Sequence, residues 1–195
     1  MAEELAGRRV AIIAADGVER VELEQPRQAV EDAGADVELL SIQDGEIAAR
    51  NNDLEDAGTF SVDRQVADAS VDDYDALILP GGTVNPDKLR MDGDAASFVR
   101  DFFNSGKPIG TICHGPWTLL EAGVVPGRRI TSFPSLRTDL RNAGAEVLDE
   151  EVVVDDGLVS SRSPDDLPAF CAKVVEEFAE GRHPERAGAA AGGVS

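Results

Sequence analysis

An apolar run that ends in a cysteine and is cut off at once by Gly-Pro leaves little choice of local structure. Residues 108–112 read as a short buried strand, and Cys113 stands where that strand stops. Gly115-Pro116 breaks the strand, and Trp117 to Ala122 has helical composition with Gly123 as its stop. The outcome is strand, sharp turn and helix, with a nucleophile-type residue on the turn. An elbow of this kind holds a side chain out at the end of a sheet, with backbone N–H groups of the next helix aimed at the reacting atom. A thiol near the positive end of a helix dipole is biased towards thiolate. Most strand-terminal cysteines are nonetheless small core hydrophobes. Reading Cys113 as catalytic therefore rests on its company: His114, the Gly-Pro turn, and signals elsewhere in the chain.

Those signals follow in order. Arg9 to Ala15 is apolar on both faces, as central parallel strands are. After Asp16-Gly17, Val21 to Ala33 reads as an amphipathic helix, with Pro26 implying a kink or a late start. Asp36 to Ile42 is a second strand, and the mixed stretch around Phe60 to Asp63 reads as a small hairpin. Tyr74 to Leu79 is a strand running through Pro80 into Gly81-Gly82. Asp94 to Ser105 is a helix, Arg128 to Phe133 a strand and Leu136 to Ala143 a helix. A hairpin over Glu151 to Ser160 turns at Asp156-Gly157, and Asp165 to Ala179 is the last helix. This alternation predicts an α/β fold with a mostly parallel sheet covered by helices on both faces. Ligands in such folds bind beyond the carboxyl ends of the strands. Glu19 and Glu22, Gly81 and Gly82, and Cys113 and His114 all follow strands, so they converge on one edge.

Length suits one domain over residues 1–180, with an Ala/Gly-rich tail over 181–195 expected to be mobile. The chain carries 38 acidic against 18 basic residues, a net charge of −20. No clustered positive charge is there to meet phosphates, which disfavours nucleic-acid binding. Such acidity, with only Lys88, Lys107 and Lys173 as lysines, suits a high-salt cytosol and predicts a halophilic source. Cys113 and Cys171 make neither a disulfide framework nor a metal spacing. No signal architecture or membrane-length apolar run is visible, so the expectation is a soluble cytoplasmic protein.

Val18-Glu19-Arg20-Val21-Glu22-Leu23, the run Asp75 to Gly82, the elbow Ile112 to Pro116, Thr131 to Ser135, Asn142 to Glu146 and Glu151 to Asp155 together resemble the DJ-1/PfpI superfamily, in particular its PfpI-like branch. The likeness spans residue 9 to about residue 180. It implies a flavodoxin-like three-layer sandwich with a nucleophile elbow. By position, Cys113 is the implied nucleophile, Glu22 its hydrogen-bonding carboxyl and His114 the adjacent histidine. Gly82, after Gly81, and the backbone N–H of His114 are the implied oxyanion donors. Asp87, after Pro86, takes the place of an acid that reaches the histidine of a neighbouring subunit, so a homo-oligomer (dimer or trimer of dimers) is implied. The sequence departs from the pattern in a longer loop over 83–86, in Asp rather than Glu at 87, and in Phe133 where a tyrosine is common.

The chemistry of the residues fits. A protonated Glu22 donates to a Cys113 thiolate, or an ionised Glu22 acts as general base, and their titrations are coupled. Thiolate addition to a dicarbonyl, proton transfer between its carbons and hydrolysis give a hydroxy acid, a route that calls for no metal, nucleotide or other cofactor. The leading expectation is a glyoxalase/deglycase-type enzyme acting on methylglyoxal, glyoxal or their adducts. A cysteine peptidase, with His114 protonating the leaving amine, is the alternative. A redox sensor or chaperone-like protein oxidised at Cys113 is another. A glutamine amidotransferase would need a distant His-x-Glu pair, and no histidine lies between His114 and His183. Glu19 reads either as a second pocket carboxylate or as a surface glutamate, His183 as a solvated residue, Cys171 as core, and Arg137 with Asp139 as a surface pair.

Overall fold

The computed structural model describes residues 3–184. Strand β1 (Arg9–Ile13) shows why the fold needs helices on two sides. Val10, Ile12 and Ala14 point into one apolar cluster, while Ala11, Ile13 and Ala15 point into another. Side chains alternate along a strand, so an uninterrupted apolar run must be covered on both faces.

The chain continues through β2 (Val18–Glu19), α1 (Arg20–Asp32), β3 (Asp36–Ser41), β4 (Glu46–Asn51), β5 (Glu55–Ser61) and β6 (Arg64–Gln65). Then come β7 (Ala76–Leu79), α2 (Val84–Arg90), α3 (Gly93–Asn104), β8 (Ile109–Ile112) and α4 (Pro116–Ala122). The last part holds β9 (Arg129–Ile130), α5 (Arg137–Asn142), β10 (Glu146–Val147), β11 (Val153–Asp155), β12 (Leu158–Ser161) and α6 (Leu167–Glu180). The main sheet has the order β11-β12-β8-β7-β1-β3-β6 and is parallel except for the β11/β12 hairpin. A separate sheet, β2-β4-β5, carries the small hairpin.

One face of the main sheet is covered by α1 and α6, which place Leu23, Val30, Phe170, Val174 and Phe178 in the core. The other is covered by α3 and α4, with Phe98, Val99, Phe102 and Leu119. Each fully buried side chain of this size contributes about 1.5–3 kcal/mol. Gly110 makes one of these contacts possible, because a Cβ there would lie 2.8 Å from Val174 Cγ2 and 3.2 Å from Phe170 Cζ. This is the predicted flavodoxin-like sandwich.

Several local expectations are corrected. Helix α1 starts at Arg20 and runs through Pro26, so the late start does not occur. Proline there removes the N–H that would reach back to the Glu22 carbonyl and crowds that carbonyl with its ring. The stretch over 83–86, expected as a loop, is the N-cap and first turn of α2. Of the strand expected over 128–133 only Arg129–Ile130 pairs, against β10. Thr131 N–H donates to Ser160 Oγ (3.0 Å) and Phe133 N–H to the Cys113 carbonyl (3.0 Å), which draws the chain out of the ladder and over the elbow.

Arg137 pairs with Asp149 (2.7 Å), and Asp139 instead accepts from Trp117 Nε1 (3.3 Å). His183 is only partly solvated: its N–H donates to the Gly106 carbonyl (2.7 Å) and its ring lies against Gly157. Cys171 is half-buried against the α1/α6 core, and burial pushes its thiol up to about 11. The Ala/Gly-rich stretch expected to be mobile lies, from residue 185 on, outside the described residues. No helix among the described residues is long and apolar enough to cross a membrane.

Candidate active site

The carboxyl ends of β1, β7 and β8 meet at Cys113. Its N–H donates to the Ser161 carbonyl of β12 (3.1 Å), and Gly115 N–H turns back to the Ile112 carbonyl (2.9 Å). The turn leaves Cys113 at φ 61°, a left-handed conformation costing a non-glycine residue roughly 1–2 kcal/mol. The elbow is tight: a Cβ on Gly115 would sit 2.5 Å from the Leu79 carbonyl oxygen. Pro116 then opens α4, where its missing N–H and fixed φ are suited.

Helix α1 brings Glu22 to the same place. Its side chain is fully buried, and Oε2 accepts from Gly81 N–H (2.8 Å). The Cys113 thiol interacts with the same carboxyl, while Oε1 makes no conventional hydrogen bond. The approach depends on Gly81, where a Cβ would lie 2.4 Å from Glu22 Oε2 and 2.8 Å from Cys113 Cβ. Gly82, at φ 77°, and His114 each bring a backbone N–H near enough to the sulfur to pull the thiol's pKa down.

Burial pushes Glu22 up to about 8, only partly offset by the thiol and the Gly81 N–H, and the charges of Glu19 and Asp53 add to the rise. Burial, then the Glu22 carboxylate, push the Cys113 thiol up, while the Gly82 and His114 N–H groups pull it down. Two adjacent acids cannot both ionise in so dry a place. With Glu22 protonated its charge no longer opposes a thiolate, and its O–H becomes a donor to sulfur.

His114 is itself buried. Its Nδ1 lies 3.1 Å from Cys113 Sγ and its Nε2 3.2 Å from Ser135 Oγ. The ring stacks on Phe133 (centroids 4.6 Å apart, 26° between planes) and meets the edge of Trp117 at 5.3 Å. Burial lowers its pKa, with Asp53 acting in the other direction.

Of the predicted site residues, Cys113, His114, Glu22, Gly81 and Gly82 come together. Glu19 is neither a free pocket carboxylate nor a surface group. It is buried and accepts from Asn52 N–H (2.9 Å) and Asp53 N–H (3.2 Å) at the β4/β5 tip, two residues with positive φ. Asp53 in turn accepts from Thr83 N–H (2.6 Å) and Thr83 Oγ1 (3.0 Å), which closes the tip against α2. Asp87 is exposed on α2 and is not among the partners of His114 within this chain.

The sequence reading missed the roles of Ser135, Asp53 and Asn85. Asn85 is fully buried and ties three chain segments: it accepts from Ala15 N–H (2.7 Å) and donates to the Pro80 (3.0 Å) and Gly81 (2.9 Å) carbonyls. Asn85→Leu removes these partners without opening a large void. Leaving buried polar groups unpaired costs about 1–3 kcal/mol each, so destabilisation by about 3 kcal/mol or more is expected in thermal unfolding. A loss under about 1 kcal/mol would contradict this account.

Among the described residues, Glu177, Glu180 and His183 also bring ligand atoms within 4.8 Å of one another. They lie by Gly106 and Gly157, at the amino end of β8 and away from the elbow.

A parallel sheet whose cysteine elbow faces a buried glutamate and an adjacent histidine defines a class of α/β protein. The chain belongs to the DJ-1/PfpI family, whose model matches residues 8–177. It is 40% identical over 168 residues to a deglycase of Thermococcus kodakarensis, covering 86% of this chain and 98% of that one. It is 41% identical over 164 residues to protein/nucleic acid deglycase 2 of Escherichia coli, covering 84% and 93%. Among solved structures, DJ-1 of Schizosaccharomyces pombe has a TM-score of 0.76 at 26% identity, covering 87% of this chain and 90% of that one.

Proposed function

We propose that the chain is a cysteine-dependent, cofactor-independent deglycase/glyoxalase-type enzyme of stress protection, acting on methylglyoxal, glyoxal or their adducts. The observation that carries the reading is geometric: a fully buried Glu22, whose Oε2 accepts from Gly81 N–H (2.8 Å), shares the elbow with a sulfur 3.1 Å from His114 Nδ1, and burial raises the Glu22 pKa to about 8. Relatives named as deglycases support it.

The Cys113 thiolate adds to the aldehyde carbon of methylglyoxal, forming a C–S bond, and the carbonyl oxygen takes up a proton. The aldehyde C–H proton is then removed and a proton is delivered to the neighbouring carbonyl carbon, through an enediol. Glu22 or His114 carries that proton between the carbons. The product is a lactoyl thioester on Cys113, which water cleaves to lactate and free thiol, so methylglyoxal and one water give one lactate. With an adduct, the amine or guanidine leaves from the same carbon. The Gly82 and His114 N–H groups stabilise negative charge as it develops. We take protein adducts and free dicarbonyls over nucleic acids as substrates, because a net charge of −20 repels phosphate backbones.

The test is lactate formation from methylglyoxal without glutathione or added metal, in high salt and amine-free buffer, beside release of free N-acetylarginine from its glycated form. Turnover above the Cys113→Ser background is expected. A folded protein that forms no lactate and releases no amine, but cleaves peptides, would overturn the proposal in favour of the peptidase.

A further inference from the structure

We propose that Asp53 is a positioning residue for the reaction: by gripping Thr83 it fixes the backbone N–H of Gly82 beside the Cys113 sulfur. The role rests on the dicarbonyl reading only where turnover is measured.

Gly81, Gly82 and Thr83 join the end of β7 to the start of α2, and their N–H groups have three different partners. Gly81 N–H donates to Glu22 Oε2 (2.8 Å) and Thr83 N–H to Asp53 Oδ1 (2.6 Å). The Gly82 N–H, between them, comes near enough to the Cys113 sulfur to act on it. The middle group meets the reacting atom, and the outer two are clamped. On the Gly81 side, the carbonyl also accepts from Asn85 Nδ2 (2.9 Å) and from Glu19 N–H (3.4 Å). On the Thr83 side the grip is Asp53. The Thr83 side chain makes no capping bond to α2, and its hydroxyl donates to Asp53 Oδ2 (3.0 Å).

Gly82 needs such a grip. It lies at φ 77°, where a Cβ would sit 2.4 Å from the Gly17 carbonyl oxygen and 2.7 Å from Glu19 N. Only glycine fits, and glycine is the residue whose backbone turns most freely. Its N–H keeps one direction only when both neighbours are fixed. Asp53 is itself fixed, because its N–H and that of Asn52 donate to the buried Glu19 carboxylate (3.2 and 2.9 Å). Hydrogen bonds therefore run from Glu19 to Asp53, from Asp53 to Thr83, and from the Gly81 carbonyl back to Glu19 N–H, closing a ring around Gly82. A preorganised donor of this kind acts most strongly on charge that develops in the transition state.

Two variants separate grip from charge. Asp53→Asn removes the charge and keeps the grip: Oδ1 still accepts from Thr83 N–H, and the Thr83 hydroxyl turns to accept from Nδ2. Asp53→Gly removes both, at a φ of 64° that glycine adopts without strain. The tip is at the surface, with Asn52 and Leu54 exposed on either side, so the core is untouched. Asp53→Gly is expected to lower kcat on methylglyoxal roughly thirtyfold with KM little changed, less than the loss of a whole donor. It should also move Cys113 alkylation by iodoacetamide to higher pH, since the thiolate loses a donor, and shift the Gly82 amide signal in ¹H–¹⁵N spectra. Asp53→Asn should restore most of each. Wild-type kcat, alkylation profile and Gly82 signal in Asp53→Gly would overturn the proposal. So would an Asp53→Asn variant as impaired as Asp53→Gly, since Asp53 would then act by its charge. If the wild type turned over no dicarbonyl, the alkylation profile and the Gly82 signal would still decide the role of Asp53, so the two failures are distinguishable.

Discussion

Cys113→Ser is expected to lower dicarbonyl turnover by a factor of about a thousand or more, leaving only what bound side chains achieve without a nucleophile. A serine hydroxyl releases its proton far less readily than a thiol, and nothing in the elbow compensates. The Gly82 and His114 N–H groups ease ionisation of a thiol that burial opposes, but a hydroxyl starts from much further away. The same position carries a second, opposite effect on stability. At φ 61° a side chain is strained where glycine is not. Cys113→Gly should therefore be more stable than Cys113→Ala by about 1 kcal/mol in thermal unfolding at matched salt, although it buries one methyl less. Equal stabilities for the two variants would mean that the elbow stores no backbone strain.

What could be read in the sequence was whatever local pattern dictates. The two-faced run of β1, the Gly81-Gly82 turn and the Cys-His-Gly-Pro elbow each impose their geometry on neighbours in the chain. Alternation then places their ends on one edge. What escaped the sequence is set by contacts between distant segments. Glu19 reads from the sequence as a pocket carboxylate or a surface glutamate alike, and only the β4/β5 tip, more than thirty positions on, decides its role by lending it two N–H groups. Thr131 to Phe133 has strand composition, and only bonds to Ser160 and Cys113 take it out of the ladder. Ser135 carried no signal of its own, because a serine after a proline in a turn is ordinary. Its meaning comes from the ring it meets, 21 positions back in the chain.

Glu22→Gln should separate the two roles that a buried carboxyl can play. The amide keeps an oxygen for Gly81 N–H and presents an N–H to the sulfur, so Cys113 should still react with iodoacetamide. It cannot give up and regain a proton, so turnover should fall roughly a hundredfold or more. Wild-type turnover in this variant would show that Glu22 carries no proton in the reaction. Stability supplies an independent check on the proton itself. Glu22 goes from an ordinary 4.5 in the unfolded chain to about 8 when folded. Between those values the folded chain holds a proton that the unfolded chain releases, so folding becomes less favourable as pH rises. The contribution is complete below pH 4.5 and gone above about pH 8. Its size is on the order of a few kcal/mol. Many other acids titrate in this chain, so the informative quantity is the difference between the two proteins. Glu22→Gln should gain on the wild type steadily from about pH 4.5 to about pH 8 and level off beyond. A flat difference across that window would mean that Glu22 is ionised in the folded state. The O–H that the proposed thiolate leans on would then be absent.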